Sequence, residues 1–199
     1  MKAFSELPIC PYLKDRLSAA NFVTPTAVQD AAIPIALEGK DILATAQTGT
    51  GKTLAFLVPI MEQMIQSKPD GVQALVLVPT RELALQVGAQ YDMLRGKKLP
   101  AAALVVGGLS EAAQVKAIRA GARLVVATPG RLEDFMDRRM VDLSKIKVLV
   151  LDEADRMLDM GFIQAIRRIV APLPRNDNRQ EILPSSSQLL HAACWYYPV

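Results

Sequence analysis

Ala46-Gln47-Thr48-Gly49-Thr50-Gly51-Lys52-Thr53 sits between the apolar run Ile42-Leu43-Ala44 and a stretch, Lys52 to Gln66, that repeats apolar residues at helical spacing. A strand, a glycine-rich turn and a helix in that order form a cradle for phosphate. The glycines let backbone N–H groups curl around phosphate oxygens where a side chain would obstruct the turn. The helix that follows aims its free N–H groups and the positive end of its dipole at the anion. Lys52 adds a point charge for the terminal phosphates, and Thr53 offers a hydroxyl to Mg²⁺. The general pattern opens with Gly, whereas Ala46 stands there in this sequence; a methyl is a small departure. The alternative for the same residues is a purely structural turn.

Working outward, apolar runs alternate with helical patterns. Asp41 to Ala46, Gln73 to Pro79, Ala102 to Val106, Leu124 to Ala127 and Val148 to Leu151 are short and nearly continuous, and each is followed by helix-like sequence. Runs of this kind, bounded by turn residues, fit strands covered on both faces. Strand–helix alternation implies an α/β fold with a central, mainly parallel sheet and helices on both faces. Pro11 to Ala20 and Thr26 to Leu37 form a helical preface to the first strand.

Val148-Leu149-Val150-Leu151 runs straight into Asp152-Glu153-Ala154-Asp155. A hydrophobic strand ending in acids delivers carboxylates to the carboxyl edge of the sheet, where open α/β folds bind ligands. Asp152 suits Mg²⁺, held through its water shell. Glu153 suits orientation and deprotonation of an attacking water. Alone, the same acids read equally well as a helix start, where Asp and Glu are favoured. Beside a phosphate loop they become its partner, because each motif needs the other.

Composition narrows the remaining options. The 199 residues are 51% hydrophobic and 22% charged with a net charge of +3, as in a globular domain with a slight basic excess. Cys10, Cys194 and His191 are the only cysteines and histidine, too few for a four-ligand structural zinc site. The single histidine lies in the final segment, which argues against a Ser-His-Asp triad in the main body. Two distant cysteines fit small buried hydrophobes in a reducing cytosol. No secretory pattern opens the sequence, and no apolar run approaches the roughly 20 residues that span a bilayer. The expected compartment is the cytoplasm.

These motifs resemble the DEAD-box ATP-dependent RNA helicases, specifically their first RecA-like domain. Asp152 to Asp155 spells the family name, and Ala46 to Thr53 matches the family's loop with its alanine. The likeness runs from about Phe4 to Gln180. It implies a RecA-like P-loop domain that binds ATP and Mg²⁺, with Lys52, Asp152 and Glu153 catalytic and Asp155 linking the metal site to interdomain motifs. Asn21-Phe22-Val23-Thr24-Pro25-Thr26-Ala27-Val28-Gln29 resembles the family's adenine-reading segment. By resemblance, Gln29 reads the adenine edge and Phe4 stacks on the base; Phe4 by itself also reads as a core anchor. Asn21 stands where the family has Gly, and Asn tolerates a left-handed backbone. Pro79-Thr80-Arg81-Glu82-Leu83-Ala84, Gly107-Gly108 and Thr128-Pro129-Gly130-Arg131 resemble the RNA-contacting motifs. Each follows an apolar run, so all belong on one sheet edge, where hydroxyls, helix N-termini and arginines meet sugar–phosphate backbone without a sequence code. Singly, each also fits a capped helix after a strand.

The family pattern breaks near the end. A strand closing in Ser-Ala-Thr is expected, but the sequence reads Ile182-Leu183-Pro184-Ser185-Ser186-Ser187. Pro184 lacks the N–H that an interior ladder uses. From Ile182 to Val199 there is no Asp, Glu, Lys or Arg, and nothing after Gln188 resembles the family. The sequence therefore divides into a helicase domain over 1–180 and a divergent or frame-shifted tail over 181–199. The resemblance also implies a second RecA-like domain with arginine fingers, and no part of these residues is expected to supply it. Two activities remain: an RNA-stimulated ATPase and helicase, or a half-domain that binds ATP and RNA with little turnover.

Overall fold

The computed structural model describes residues 3–45, 49–174 and 179–185. After a 3-10 turn at Phe4–Glu6, two helices precede the sheet: α1 (Pro11–Ala19) and α2 (Ala27–Leu37). Then β1 (Ile42–Thr45), α3 (Lys52–Gln66), β2 (Ala74–Leu77), α4 (Arg81–Arg95), β3 (Ala103–Val105) and α5 (Glu111–Arg119) alternate. The chain continues through β4 (Leu124–Ala127), α6 (Pro129–Asp137), β5 (Val148–Leu151), α7 (Ala154–Asp159), α8 (Ile163–Val170) and β6 (Gln180–Ser185). All pairings are parallel and the strand order is β1-β6-β5-β2-β4-β3. A parallel neighbour can be reached only through a crossover, which the intervening helices provide.

The central strands feed two cores. In β2, β4 and β5 every residue is buried, so no polar face interrupts the run. Side chains alternate across a strand. Val76, Val126 and Val150 therefore join Leu13, Ile33, Phe56 and Tyr91 from α1 to α4. Leu75, Leu77, Val125 and Leu149 face the other way, against Leu132, Phe135, Met157 and Ile166 from α6 to α8. The result is three layers with the sheet in the middle. Tyr91 is fully buried, donates its hydroxyl to Pro100 O at 3.1 Å, and has its pKa pushed up to about 12 by burial.

The sheet takes in residues 181–185, which the sequence pattern had set apart with the tail, and it seats them between β1 and β5. Pro184 fits because the two ladders of β6 are staggered. Pairing with β5 covers only Gln180 to Ile182, while pairing with β1 covers Ile182 to Ser185, with Pro184 opposite Ala44. The missing N–H therefore falls beyond the last rung shared with β5. At its other end β6 is anchored by side chains. Gln180 Nε2 donates to Ala36 O and Lys40 O at 3.0 and 2.7 Å, and Glu181 N donates to Asp41 Oδ1 at 2.7 Å. Arg179 and Glu181 form a buried ion pair at 2.6 Å. Residues 186–199, including Cys194 and His191, lie outside the described residues. No helix among the described residues is long and apolar enough to cross a membrane.

Candidate functional site

The site residues expected from the sequence lie at the carboxyl ends of the strands. The loop after β1 leads into α3, whose first residue is Lys52. Ala46, Gln47 and Thr48 lie outside the described residues; Gly49 and Gly51 take φ of 84° and 89°, a region that side chains rarely enter. A second constraint acts at Gly51, where an added Cβ would lie 2.3 Å from Gln29 Nε2. Gln29 is 3% exposed and grips this loop from α2. Its Nε2 donates to Gly51 O at 2.9 Å while its Oε1 accepts from Thr26 N at 2.9 Å. Thr26 Oγ1 donates to Thr50 O at 2.8 Å. The Gln29 amide thus spends a donor and an acceptor on backbone. Phe4 is 3% exposed and packs in the core, with its backbone N donating to Val23 O, which leaves little of its ring surface open. Asn21 takes φ 62°, the left-handed conformation for which Asn substitutes well for Gly.

Lys52 and Asp152 come together although a hundred residues separate them. The β1-β6-β5 order sets the phosphate loop one strand away from the acidic motif. Asp152 is 3% exposed, and its Oδ1 has no hydrogen-bond partner among the described residues. Burial pushes its pKa up to about 6; Glu153 and Asp155 add to the rise, and the Lys52 ammonium opposes it. Glu153, at the N-terminus of α7, adopts φ 53° and ψ 46°. A left-handed backbone costs a non-glycine residue roughly 1–2 kcal/mol, and such strain collects at working sites. Its carboxylate accepts from Arg156 Nη1 at 3.2 Å.

Among the described residues no group of three or more His, Cys, Asp and Glu side chains gathers into a metal cage. Mg²⁺ does not require one, because it keeps several waters and binds through one or two carboxylates plus phosphate oxygens. A buried carboxylate oxygen lacking a partner, on the strand next but one to the phosphate loop, fits that donor set.

The three other motifs share the same edge. Thr80 caps α4, its Oγ1 accepting from Leu83 N at 3.3 Å. Arg81 is exposed and donates from Nη1 to Gly108 O at 3.1 Å, joining the end of β2 to the end of β3. Gly108 has φ 73°, and a Cβ there would lie 2.7 Å from Arg81 Nη1. Thr128 N donates to Val105 O at 3.1 Å. Pro79 and Pro129 are buried, whereas Gly107, Gly108 and Gly130 are exposed. Arg131 is held by two carboxylates, Asp134 at 2.7 Å and Glu111 at 3.0 Å, and lies 4.6 Å over the Phe135 ring. Gln114 went unrecognised in the sequence. Buried in α5, it donates from Nε2 to Val106 O and Leu109 O and accepts from Val106 N, shaping the Gly107-Gly108 turn. A single glutamine in an amphipathic helix carries no local mark of that task.

The Thr80 cap can be tested directly. Thr80→Ala is expected to cost ~1 kcal/mol of stability and to lower Tm by about 2–4 °C in a chain of this size. Thermal melting followed by circular dichroism checks it, and an unchanged Tm would mean that the cap contributes nothing.

Residues 26–188 match the DEAD/DEAH box helicase family. A probable ATP-dependent RNA helicase of Dictyostelium discoideum is 42% identical over 196 residues, which cover 96% of this chain and 24% of that protein. A DEAD-box ATP-dependent RNA helicase of Streptococcus pneumoniae is 44% identical over 184 residues, covering 92% of this chain and 34% of its own. The chain thus spans about a quarter to a third of the length of these relatives. The crystal structure of a DEAD box protein from the hyperthermophile Methanococcus jannaschii superposes with a TM-score of 0.86 at 36% identity, over 94% of this chain and 50% of that one. Sequence match and superposition agree over most of its length, so the chain belongs to the DEAD/DEAH box helicase family and forms one RecA-like domain of it.

Proposed function

We propose that the chain is the nucleotide-binding half of an ATP-dependent RNA helicase, holding ATP with Mg²⁺ in its phosphate loop and single-stranded RNA backbone along the neighbouring edge. The observation that carries this proposal is the approach of Lys52 to Asp152, whose buried Oδ1 lacks a hydrogen-bond partner among the described residues. Lys52 and residues 46–51 would hold the terminal phosphates, and Thr53 and Asp152 would hold the metal. The bound magnesium would neutralise charge building on the phosphate oxygens. Glu153 would orient the attacking water and take its proton. Asp155 would connect this centre to the rest of the helicase. Gln29 would position the loop and, with the donor and acceptor that its amide still has to spare, read adenine; Phe4, buried in the core, would support that pocket from beneath rather than offer its ring to the base. Pro79, Thr80, Arg81, Gly107, Gly108, Thr128, Pro129, Gly130 and Arg131 would shape or contact the RNA track, in a sequence-independent manner.

Turnover by these 199 residues alone should stay near background. Arginine fingers are worth roughly 10³- to 10⁵-fold in rate, and the family resemblance assigns them to a second domain. Binding of a fluorescent ATP analogue and of single-stranded RNA, with ATPase rates with and without RNA, tests this for the chain and for Glu153→Gln. Both ligands should bind, the analogue only with magnesium, and Glu153→Gln should leave nucleotide affinity unchanged. Vigorous RNA-stimulated turnover would replace the half-domain with a complete ATPase. Absence of nucleotide binding would overturn both.

A further inference from the structure

Glu111 opens α5 directly after the Gly107-Gly108 turn, and Arg138 stands just past the end of α6. Arg138 grips the Glu111 carboxylate with both arms of its fork, Nη2 to Oε1 at 2.6 Å and Nη1 to Oε2 at 2.7 Å. Arg131 takes Oε2 from the side at 3.0 Å. Asp134 closes the cluster, accepting from Arg131 at 2.7 Å and from Arg138 at 3.3 Å. Two guanidinium groups converging on the two oxygens of one anion is the geometry with which arginines take a phosphate. The cluster is reachable from solvent, since the side chains of Glu111 and Arg138 are 37% and 43% exposed. The Arg131 Nε, in contrast, is buried and has no hydrogen-bond partner among the described residues.

We propose that Arg131 and Arg138 form a phosphate cradle for single-stranded RNA and that the Glu111 carboxylate occupies it as an internal stand-in for a phosphodiester. This inference rests on the proposed RNA track along Arg81, Gly108 and Arg131, and it adds Arg138 as a backbone contact and Glu111 as the group that RNA displaces. Glu111 holds its negative charge strongly, its pKa lowered to about 2 first of all by the Arg138 hydrogen bond. With two carboxylates against two guanidiniums the cluster is neutral and attracts a polyanion little. An incoming phosphate must expel Glu111 into water, after which Arg131 and Arg138 outnumber Asp134.

The test is the affinity of the chain for an oligouridine as a function of salt. Glu111→Gln keeps the shape and an acceptor oxygen but removes the charge. It should steepen the salt slope by ~0.7 and raise affinity about fivefold near 0.1 M salt, the increment of one added phosphate contact on a single strand. Arg138→Gln on the Glu111→Gln background should cancel the gain. Asp15→Asn, which changes net charge equally at an exposed position of α1, should give no comparable gain. Circular dichroism confirms that each variant is folded, and Arg138→Lys, a charge without the fork, replaces any unfolded Arg138→Gln. Affinity that is unchanged or reduced in Glu111→Gln, or matched by Asp15→Asn, would overturn the cradle. The two levels separate cleanly: RNA binding that Arg81→Gln weakens but Glu111→Gln leaves unmoved removes the cradle alone, while no RNA binding by any variant removes the RNA track as well.

Discussion

Asp152→Asn is expected to melt at a higher temperature than the parent chain at neutral pH when both are free of nucleotide, and to lose magnesium-dependent nucleotide binding. In the folded chain the Asp152 carboxyl titrates at about 6, raised from 3.8, chiefly by burial. The folded state therefore binds a proton more tightly than the unfolded state. Between these two values stability falls as pH rises, and above about 6 the whole cost of the buried charge is present. That cost is roughly 3 kcal/mol at 1.36 kcal/mol per pH unit. Asn removes the charge, and burying its unbonded amide takes back about 1 kcal/mol. The net gain of about 2 kcal/mol should raise Tm by roughly 4–8 °C. Near pH 4 the advantage should be gone and the variant slightly the less stable, because Asp152 is then neutral in the folded parent while the cost of the unbonded amide remains. Adding magnesium and ATP should reverse the order, since a ligand that binds only the folded parent stabilises only that chain. Melting curves at two pH values with and without nucleotide check all three points. A lower Tm for Asp152→Asn at neutral pH would show that the carboxylate is better compensated than its surroundings indicate.

Lys52→Ala is expected to weaken magnesium–nucleotide binding about 10²-fold, the loss of one or two charge-assisted hydrogen bonds. Lys52 is buried at the first turn of α3, so its ammonium meets phosphates with little competing water. The same change removes the cation that holds the Asp152 pKa down, so Asp152 should titrate higher still. Nucleotide binding by the parent should decline as pH falls through about 6, where Asp152 takes up its proton. In Lys52→Ala the residual binding should decline at a higher pH. Titration calorimetry across pH measures both effects. Unaltered affinity would remove Lys52, and the loop with it, from the nucleotide site.

Local chemistry made much of the molecule legible before any coordinates. The VLV-type runs at 75–77, 124–127 and 148–151 are strands because they are short, β-branched and apolar on both faces, which only a doubly covered sheet accommodates. Helix α3 runs from Lys52 to Gln66, as its apolar spacing indicates, and Asn21, where the resemblance has Gly, takes the left-handed backbone that Asn tolerates. These features depend on neighbours a few residues away.

Partner choice across the fold was beyond such patterns. Gln29 reads in sequence as an adenine reader, yet its amide closes on Thr26 and Gly51. Arg131 reads as a charge offered to RNA, yet two carboxylates and an aromatic ring already hold it. Pro184 reads as a break in the sheet, yet staggered pairing gives it a place.

By itself the sequence determined the layers and the place of Asp152 and Glu153 at the end of β5, because backbone conformation and burial follow from short-range periodicity. The tertiary structure decided that β6 enters between β1 and β5, that Lys52 comes within electrostatic reach of a buried Asp152, and that Glu111 fills the gap between two arginines. Strand order and ion pairing join residues distant in the chain, and the free energy that selects them resides in contacts that exist only once the chain has folded.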